Sequence, residues 1–376
     1  MKLSGGDLLM RALKDEGVKF IFGYPGGAAL HIYDSIFKQK ACEHILVRHE
    51  QGATHAADGY SRATGKPGVA LVTSGPGATN AITGLATAYM DSIPLVVISG
   101  QVQSHLIGTD SFQETDMIGI SRPIVKHSFI VQNTQDIPRI IQEAFHIATT
   151  GRPGPVVIDI PKDKTDPSKL YEYKRAKEIS LRSYQPRVLP HPGQIKKACK
   201  KILSAERPVI YAGGGVILGN AHKELIAINK MLKAPVTNTL MGLGAYPAKD
   251  KYFMGMLGMH GTYQANMAMH NADLIIAIGA RFDDRITNTP SMFAPDAKIV
   301  HIDVDPASIS KIINADIPIV GQVKESLLAL IKEIKRSKIK IDSEAVDNWN
   351  MQISQWRAKH GLDHDLYLSK IKPSMI

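Results

Sequence analysis

The chain has 376 residues, of which 44% are hydrophobic and 21% are charged. These proportions are ordinary for a globular protein and exclude a disordered chain, and the length allows two domains with separate cores. The formal net charge of +10 is spread over both halves without a nucleic-acid-binding motif, so it indicates a solvated surface that attracts anionic ligands rather than a nucleic-acid partner.

The cysteines and the apolar runs indicate where the protein works. Cys42 and Cys199 are far apart and in no CxxC arrangement, which argues against a disulfide framework or a zinc site and predicts a reducing compartment. Residues 1–17 are predicted to form a helix, and the acidic residues within it argue against a signal peptide. The longest apolar runs, residues 93–99 and 274–279, are far shorter than the roughly 20 residues of a membrane span. We therefore expect a cytoplasmic protein without a membrane partner.

The first glycine-rich turn, Y-P-G-G-A at residues 24–28, joins a predicted strand at residues 20–23 to a predicted helix at residues 30–37. Its two successive glycines, Gly26 and Gly27, allow backbone conformations closed to other residues and close approach by a ligand. A plain strand-to-helix turn explains the same pattern.

The most informative stretch is I-L-V-R-H-E-Q-G-A-T-H-A-A-D-G-Y-S-R-A-T-G at residues 45–65. Its apolar run at residues 45–47 predicts a buried strand, and the small residues that follow Gln51 at helical spacing predict a helix. Glu50 falls at the junction, where a first-turn carboxylate steadies its helix. A face of Gly and Ala also lets another backbone approach closely, and a carboxylate in such a poorly hydrated seam suits proton exchange with a bound heterocycle.

The rest of the first half alternates strands and helices, which predicts a mostly parallel sheet covered on both faces. Strands are predicted at residues 69–73, 95–99, 125–131 and 155–160, and helices at residues 78–89 and 135–149. The turn T-S-G-P-G-A-T-N at residues 73–80 is by itself only weak evidence for an anion site. The polar stretch at residues 100–116 is expected to be irregular, and its Phe112, taken alone, would be a local core plug.

The second half begins after an ordered crossover at residues 162–193, which is rich in Lys, Arg, Pro and Tyr. Helices are predicted at residues 195–203 and 323–335, and strands at residues 208–211 and 298–300. Three glycines, Gly213, Gly214 and Gly215, follow the first of these strands. The full G-x-G-x-x-G pattern and the acidic residue expected after it are both absent, so the spacing is a weak dinucleotide signal.

Two long motifs in the right order, R-H-E-Q-G-A-T-H-A-A-D-G-Y-S-R at residues 48–62 and the turn at residues 73–80, resemble the pyrimidine-binding domain of thiamine diphosphate enzymes, and in detail the acetolactate synthase family. In that family the matching Glu hydrogen-bonds the aminopyrimidine ring and drives the proton transfer that activates the cofactor. The resemblance implies catalytic roles for Glu50, Gly27, Gln113 and Lys162, and a substrate pocket with Phe112, Gln113 and Arg285. Lys162 could instead be a solvated surface cation.

The second half resembles the FAD-binding segments of the same family, at T-L-M (239–241), L-G-M-H-G (257–261), G-A-R-F-D-D-R (279–285) and H-I-D (301–303). The resemblance implies cofactor contacts from Glu50, Arg152, Gly213, Gly214, Gly215, Thr239, Leu240, Met241, Leu257, Gly258, Met259, His260, Gly279, Ala280, Arg281, Asp283, Arg285, Asp303 and Gln322. Arg281 and Arg285 offer planar donors to phosphate or carboxylate. Arg152 could be a surface cation and His260 a structural histidine, and Gln322 stands where many relatives have Asp.

The resemblance implies an α/β fold with two doubly wound, mostly parallel-sheet domains. It predicts a pyrimidine-binding domain (1–162), a linker (163–190), a Rossmann-like central FAD- or nucleotide-binding domain (191–336), and a helical linker (337–376) toward a diphosphate-binding domain. The implied reaction decarboxylates pyruvate and condenses the two-carbon unit with pyruvate or 2-oxobutanoate, in the biosynthesis of isoleucine, valine and leucine. Its cofactors would be thiamine diphosphate, Mg²⁺ and FAD, the flavin without a net redox role. A homodimer is expected, with a small regulatory subunit as a further partner.

The G-D-G motif that holds Mg²⁺ and the diphosphate in this family is not found, because A-D-G at residues 57–59 only imitates it inside a helix. We therefore expect the metal ligands in a further domain, and no acetolactate from this chain alone. An engineered piece, a disrupted gene and half of a split enzyme all fit this expectation. The alternatives in function are a flavin-bearing pyruvate oxidase, a glyoxylate carboligase, which should lack a Glu at position 50, and a non-catalytic FAD-binding scaffold.

Overall fold

The computed structural model describes residues 2–360. The chain divides into two compact units, Met1–Pro186 and Arg187–Ile376, and each contains a six-stranded sheet in which all neighbouring strands are parallel. This confirms the predicted α/β class with two mostly parallel sheets. The division falls within the crossover predicted from the sequence.

The sheet of the first unit has the order β3-β2-β4-β5-β7-β6, and a separate antiparallel pair joins β1 to β8. The strands are β1 (Lys2–Leu3), β2 (Phe20–Gly23), β3 (Glu43–Leu46), β4 (Gly68–Val72), β5 (Leu95–Gln101), β6 (His127–Ile130), β7 (Pro155–Pro161) and β8 (Tyr171–Glu172). The helices are α1 (Gly5–Asp15), α2 (Leu30–Gln39), α3 (Glu50–Thr64), α4 (Pro76–Asn80), α5 (Ile82–Asp91), α6 (Met117–Ser121) and α7 (Ile137–Thr149).

Successive residues of the central strands enter two different apolar clusters, because side chains alternate between the faces of a sheet. Leu71 and Ile98 pack with α1 and α7, whereas Val72 and Val97 pack with α3 and α5. Both faces are therefore covered by helices, which explains why these strands are continuous apolar runs in the sequence.

Two local predictions are wrong. The strand predicted as buried at residues 45–47 is β3, which lies at an edge of the sheet and leaves Leu46 65% exposed. The helix predicted as continuous at residues 78–89 is divided into α4 and α5, because the Ala81 N–H bonds the carbonyl of Ala78 rather than continuing the helical ladder. Apolar content alone could not separate an edge strand from a central one.

The sheet of the second unit has the order β11-β10-β9-β12-β13-β14. Its strands are β9 (Pro208–Ala212), β10 (Val236–Asn238), β11 (Phe253–Met256), β12 (Leu274–Ile278), β13 (Lys298–Asp303) and β14 (Ile317–Val320). Its helices are α8 (Pro192–Leu203), α9 (Gly214–Leu218), α10 (His222–Leu232), α11 (Tyr263–Asn271), α12 (Asp284–Thr287), α13 (Val323–Arg336) and α14 (Ser343–His360). Counted within the unit, the order is 3-2-1-4-5-6, the doubly wound arrangement whose direction reverses between β9 and β12.

The segment predicted as a helical linker at residues 337–376 contains α14, which packs on the core of the second unit. Trp349 and Ile353 are buried in the same apolar cluster as Val209 of β9. The Trp349 indole N–H donates to the carbonyl of Pro208 at 3.2 Å. Up to His360 this segment is therefore part of the unit, and the remainder of the prediction, residues 361–376, lies outside the described residues.

Candidate functional site

The predicted catalytic residues lie along one edge of the first sheet. Because the strands are parallel, the segments that follow them leave from the same edge, and ligands of such sheets bind outside the carboxyl ends of the strands. The structure places four of the predicted residues there: Gly27 after β2, Glu50 after β3, Gln113 in the loop after β5, and Lys162 after β7.

Glu50 is the first residue of α3 and its side chain turns inward. The helix is capped by His49, whose Nδ1 accepts the N–H of Gln51 at 3.1 Å. Glu50 is only 9% exposed, and its Oε2 accepts a 2.9 Å hydrogen bond from Asn80 Nδ2. A Cβ at Gly77 would lie 3.4 Å from its Oε1. Capping is thus done by the neighbouring residue, and the Glu50 carboxylate is held against α4 instead.

Asn80 is a site residue that the sequence analysis did not single out. It is the last residue of α4, the short helix that opens with Pro76 after the glycine turn. Its amide donates to the carboxylate of Glu50, 30 residues earlier in the chain. The only sequence signal was its place at the end of the T-S-G-P-G-A-T-N motif, which does not indicate what the side chain contacts.

A neutral polar pair lies near Glu50. The Tyr33 hydroxyl is 3.2 Å from Nε2 of His44. Burial, together with the nearby negative charge of Glu50, raises the pKa of Tyr33 far above its ordinary value, and burial lowers the pKa of His44. Both side chains therefore stay neutral near pH 7, so Glu50 has no cation in this pair to neutralise it.

The two glycines of the turn after β2 have different reasons to be glycine. A Cβ at Gly26 would lie 2.5 Å from Cβ of Thr73, whose hydroxyl also accepts the N–H of Ala28 at 3.2 Å. A Cβ at Gly27 would have no neighbour within 4 Å. Packing requires glycine at Gly26, whereas Gly27 borders open space beside the carboxyl edge.

The loop after β5 contacts the glycine turn after β4. Gly75 and Gln113 both have positive φ, 57° and 60°, and a Cβ at Gly75 would lie 2.6 Å from the carbonyl oxygen of Gln113. Within the loop, the Glu114 carboxylate accepts the N–H groups of Gly108 and Ser111, and these bonds lower its pKa. Phe112 is 88% exposed, so the alternative that it is a local core plug is wrong.

Arg152 and Lys162 also belong to the first unit. The Arg152 guanidinium donates to Ser92 Oγ at 2.8 Å and lies 5.8 Å from the centre of the Tyr89 ring, at the end of α5. Arg152 is therefore held in place rather than a loose surface cation, and it is in a different unit from the other predicted flavin contacts. Lys162 is half-buried and begins a short helical turn in which Thr165 Oγ1 donates to its carbonyl at 2.9 Å.

In the second unit, the predicted flavin contacts share the carboxyl edge of the sheet. They follow successive strands: Gly213, Gly214 and Gly215 after β9; Thr239, Leu240 and Met241 after β10; Leu257, Gly258, Met259 and His260 after β11; Gly279, Ala280, Arg281, Asp283 and Arg285 after β12; Asp303 at the end of β13; and Gln322 after β14. Strands β9 and β12 flank the point where the strand order reverses, which is the usual ligand crevice of a doubly wound sheet.

The glycines at that point are required by backbone packing. A Cβ at Gly213 would lie 2.1 Å from the carbonyl oxygen of Gly279, and a Cβ at Gly215 would lie 2.7 Å from Cα of Gly279. Gly279 itself has a φ of 57°. Two of the three glycines that resemble a nucleotide turn are therefore explained by the contact between the turns after β9 and β12, without a ligand.

The loops after β11 and β12 are joined. The N–H of Met259 donates to the carbonyl of Arg285 at 3.0 Å, and the N–H of Gly258 donates to Oδ1 of Asn266 at 2.8 Å. Arg281 pairs with Asp283. Arg285 makes a long 3.8 Å ion pair with the exposed Asp284, and its side chain is 71% exposed. The arrangement presents an accessible guanidinium beside the exposed side chain of Met259.

His301 of β13 is a structural histidine. It is fully buried, its Nε2 bonds the carbonyl of Ala280 at 2.8 Å, and burial lowers its pKa to about 4. Since a carbonyl only accepts, Nε2 carries the proton of a neutral ring. Two residues later, Asp303 Oδ1 accepts the N–H of Asp305 at 2.8 Å.

Neither a metal-binding cluster nor a membrane-spanning helix occurs among the described residues 2–360. Within that range, no group of three or more His, Cys, Asp or Glu side chains could hold a metal ion. None of the helices described there is both long and apolar enough to cross a membrane.

Comparison with known proteins matches both units. The family model "Thiamine pyrophosphate enzyme, N-terminal TPP binding domain" matches residues 3–120, and "Thiamine pyrophosphate enzyme, central domain" matches residues 195–330. The chain is 55% identical over 375 residues to the acetolactate synthase large subunit of Haemophilus influenzae. It is 53% identical over 374 residues to the acetolactate synthase isozyme 3 large subunit of Escherichia coli, and 56% identical over 374 residues to a large subunit from Buchnera aphidicola. Each match covers 100% of this chain but 65% of the relative.

Proposed function

We propose, from the premise that this chain belongs to the thiamine pyrophosphate enzymes, that it is the large-subunit part of an acetolactate synthase. The reaction would decarboxylate pyruvate and condense the two-carbon unit with pyruvate or 2-oxobutanoate. The single observation that carries the proposal is the inward-turned carboxylate of Glu50, held by Asn80 at the carboxyl edge of the first sheet. The identity to acetolactate synthase large subunits supports the choice among enzymes of this family.

The first unit fits the pyrimidine side of thiamine diphosphate. Glu50 offers a poorly hydrated carboxylate for a ring nitrogen, and the open space beside Gly27 leaves room for a ring. When bound, this cofactor supplies the electron sink for removing CO₂ from a 2-oxo acid. The chain's own contribution is to hold Glu50: Asn80 occupies Oε2, which leaves Oε1, next to Gly77, to exchange a proton.

Substrate contacts and charge complete the proposal. We assign Gln113 and Phe112 to the substrate pocket, because their loop packs on the glycine turn that borders Glu50 and leaves the Phe112 ring exposed. Lys162 and Arg285 are proposed to attract carboxylates. We propose a homodimer in the cytoplasm with a small regulatory subunit, since the relatives are named large subunits.

FAD is proposed for the second unit, at the crevice between β9 and β12. Support comes from the 3-2-1-4-5-6 strand order and from the exposed side chains at that edge, where Leu240, Met241 and Met259 are apolar and Arg285 is cationic. Mg²⁺ is proposed as a third cofactor without ligands assigned among residues 2–360. The domain boundaries predicted from the sequence are likewise kept as a proposal, except that α14 is assigned to the second unit.

The test is acetolactate formation from pyruvate by this chain joined to the part of the Escherichia coli relative that the match leaves out. Glu50→Gln should lower turnover by roughly 10²- to 10⁴-fold, because the amide cannot exchange the ring proton. Glu43→Gln, at an exposed position of β3, is the matched control and should leave turnover unchanged. Oxygen-dependent acetyl phosphate as the product would favour a pyruvate oxidase, and full turnover of Glu50→Gln would remove Glu50 from the mechanism.

A further inference from the structure

A buried carboxylate outside the proposed chemistry lies beneath the loop that carries Gln113. Asp159 of β7 is 1% exposed and pairs in register with Ser99 of β5. Ser99 Oγ donates to its Oδ1 at 2.5 Å, and Gln101 Nε2 donates to its Oδ2 at 2.9 Å. Both carboxylate oxygens therefore have partners, and both partners are among the last three residues of β5, the neighbouring strand.

Gln101 uses every part of its side-chain amide that can reach a partner. Besides Asp159, Nε2 donates to the carbonyl of Thr115 at 2.8 Å, and Oε1 accepts the N–H of Val102 at 2.8 Å. Because Nε2 meets two acceptors and Oε1 meets a donor, only one orientation of the amide satisfies all three bonds. Gln101 thereby ties Thr115, in the loop, to two strands of the sheet.

Stability alone does not call for a carboxylate at this position. Val97 and Val157, two residues earlier on the same two strands, are fully buried in an apolar cluster, and a well-packed apolar side chain at Asp159 would continue it. Burial raises the pKa of Asp159 to about 7, although its bonds to Ser99 and Gln101 act in the opposite direction. The charged group that faces it is Asp116, which adds to the cost of ionisation.

The anchored residue is connected directly to the proposed site. Thr115 follows Glu114, whose carboxylate closes the loop onto the N–H groups of Gly108 and Ser111. Two residues before Thr115, the carbonyl of Gln113 packs against Gly75. Fixing Thr115 therefore restricts where Gln113 can lie on the glycine turn.

We propose that Gln101, held by Asp159, is a positioning residue that fixes the end of the loop at residues 108–115 and with it the place of Gln113 beside Gly75. The inference rests on the proposed function in one respect: the loop is taken to form part of the substrate pocket.

The experiment is amide hydrogen exchange at residues 108–116 of the whole chain. Gln101→Leu and Asp159→Ala should each lower protection by at least about 10-fold, the size expected when a buried donor or acceptor is left unpaired. Asp159→Asn should stay within about 2-fold of the wild type, because its amide can still accept from Gln101 and bond Ser99. Gln142→Leu is the matched control, since Gln142 is also buried and its Nε2 donates to the carbonyl of Ala176 at 3.1 Å.

Unchanged protection in Gln101→Leu, or an equal loss in Gln142→Leu, would overturn the proposal. Equal loss of protection in Asp159→Asn and Asp159→Ala would also overturn it. An Asn side chain keeps the shape of Asp159 and its hydrogen bonds to Gln101 and Ser99, so these bonds would then not be what holds the loop. If Asp159→Ala does not fold, Gln101→Leu and Asp159→Asn decide. Since exchange is read without turnover, failure of the proposed reaction leaves this result interpretable.

Discussion

The carboxylate of Glu50 is held by residues from two helices. Its backbone begins α3, while its hydrogen-bond partner, Asn80, ends α4. A hydrogen bond to a charged group is worth roughly 1.5–3 kcal/mol, more than most neutral ones. At the scale of single residues, the orientation of Glu50 therefore depends on Asn80 as much as on the helix to which Glu50 belongs.

Asn80→Ala is made in this chain joined to the part of the Escherichia coli relative that the match leaves out. It should lower turnover by about 10- to 100-fold, because Glu50 loses the donor that orients it. The variant should also lose up to roughly 1.5–3 kcal/mol of stability, so turnover is compared at a temperature where both proteins are fully folded. The control is Thr79→Ala, whose exposed hydroxyl donates to the carbonyl of Pro76 within α4 at 3.2 Å. Wild-type turnover in Asn80→Ala would show that Glu50 does not need this partner.

A second prediction at the scale of residues concerns Asp159, whose titration should make the free energy of unfolding depend on pH. An unfolded Asp releases its proton near pH 4, whereas folded Asp159 keeps it until about pH 7, so the folded state binds more protons between these values. The free energy of unfolding should therefore fall as the pH rises from about 4 to about 7, by up to about 4 kcal/mol, and then level off.

The measurement is urea unfolding of the first unit between pH 4 and pH 8. Asp159→Asn should remove this part of the pH dependence, because its side chain does not titrate. Asp110→Asn, at an exposed position in the same unit, should retain the wild-type dependence. Parallel pH curves for the wild type and Asp159→Asn would contradict the raised pKa.

At the scale of elements, the turns at the carboxyl edges combine packing with access. In the turn after β2, Gly26 lies against Thr73 and Gly27 faces open space. In the turns after β9 and β12, the glycines lie against each other. A glycine-rich turn therefore does not by itself indicate a ligand site, because some of its glycines are required by contacts with neighbouring residues and others border open space.

Gly27→Ala and Gly26→Ala should separate these roles. Gly26→Ala forces a Cβ to 2.5 Å from Thr73 and should destabilise the first unit by roughly 1–3 kcal/mol. Gly27→Ala should leave thermal unfolding nearly unchanged yet weaken thiamine diphosphate binding, because the methyl group enters the space assigned to the cofactor. Equal cofactor affinity in Gly27→Ala and wild type would place the cofactor elsewhere.

At the scale of the whole molecule, each unit presents its own carboxyl edge. The first carries the proposed proton-exchange residue, and the second carries the crevice where its strand order reverses. Each sheet is covered by helices that belong to its own unit, so each edge is built within one unit.

FAD should therefore bind the chain as it stands, because the proposed contacts lie mainly within the second unit. Flavin absorbance retained after gel filtration with excess FAD is the measurement. Arg285→Ala should weaken binding by about 10-fold through loss of an accessible guanidinium, whereas Arg336→Ala, exposed on α13, should not. A chain that elutes without flavin would argue against the FAD assignment.

The sequence by itself determined the six strands of the first sheet, two of the six strands of the second, and the parallel arrangement of the first sheet. Apolar runs and helical spacing are local properties, and a strand–helix alternation leaves few topologies open. The same local signals located Glu50 and the glycine turns at strand ends, whereas Gln113 was assigned only through the resemblance to the acetolactate synthase family. They could not distinguish the edge strand β3 from a buried one, because burial depends on what pairs with the strand.

Only the tertiary structure decided which side chains meet. Asn80 reaches Glu50 across 30 residues, and Gln101 reaches Asp159 across 58. Gly213 and Gly215 meet Gly279 on a turn that follows another strand. The spacing of apolar residues along the sequence cannot predict such contacts. They arise because parallel strands bring the ends of distant segments to one edge of a sheet.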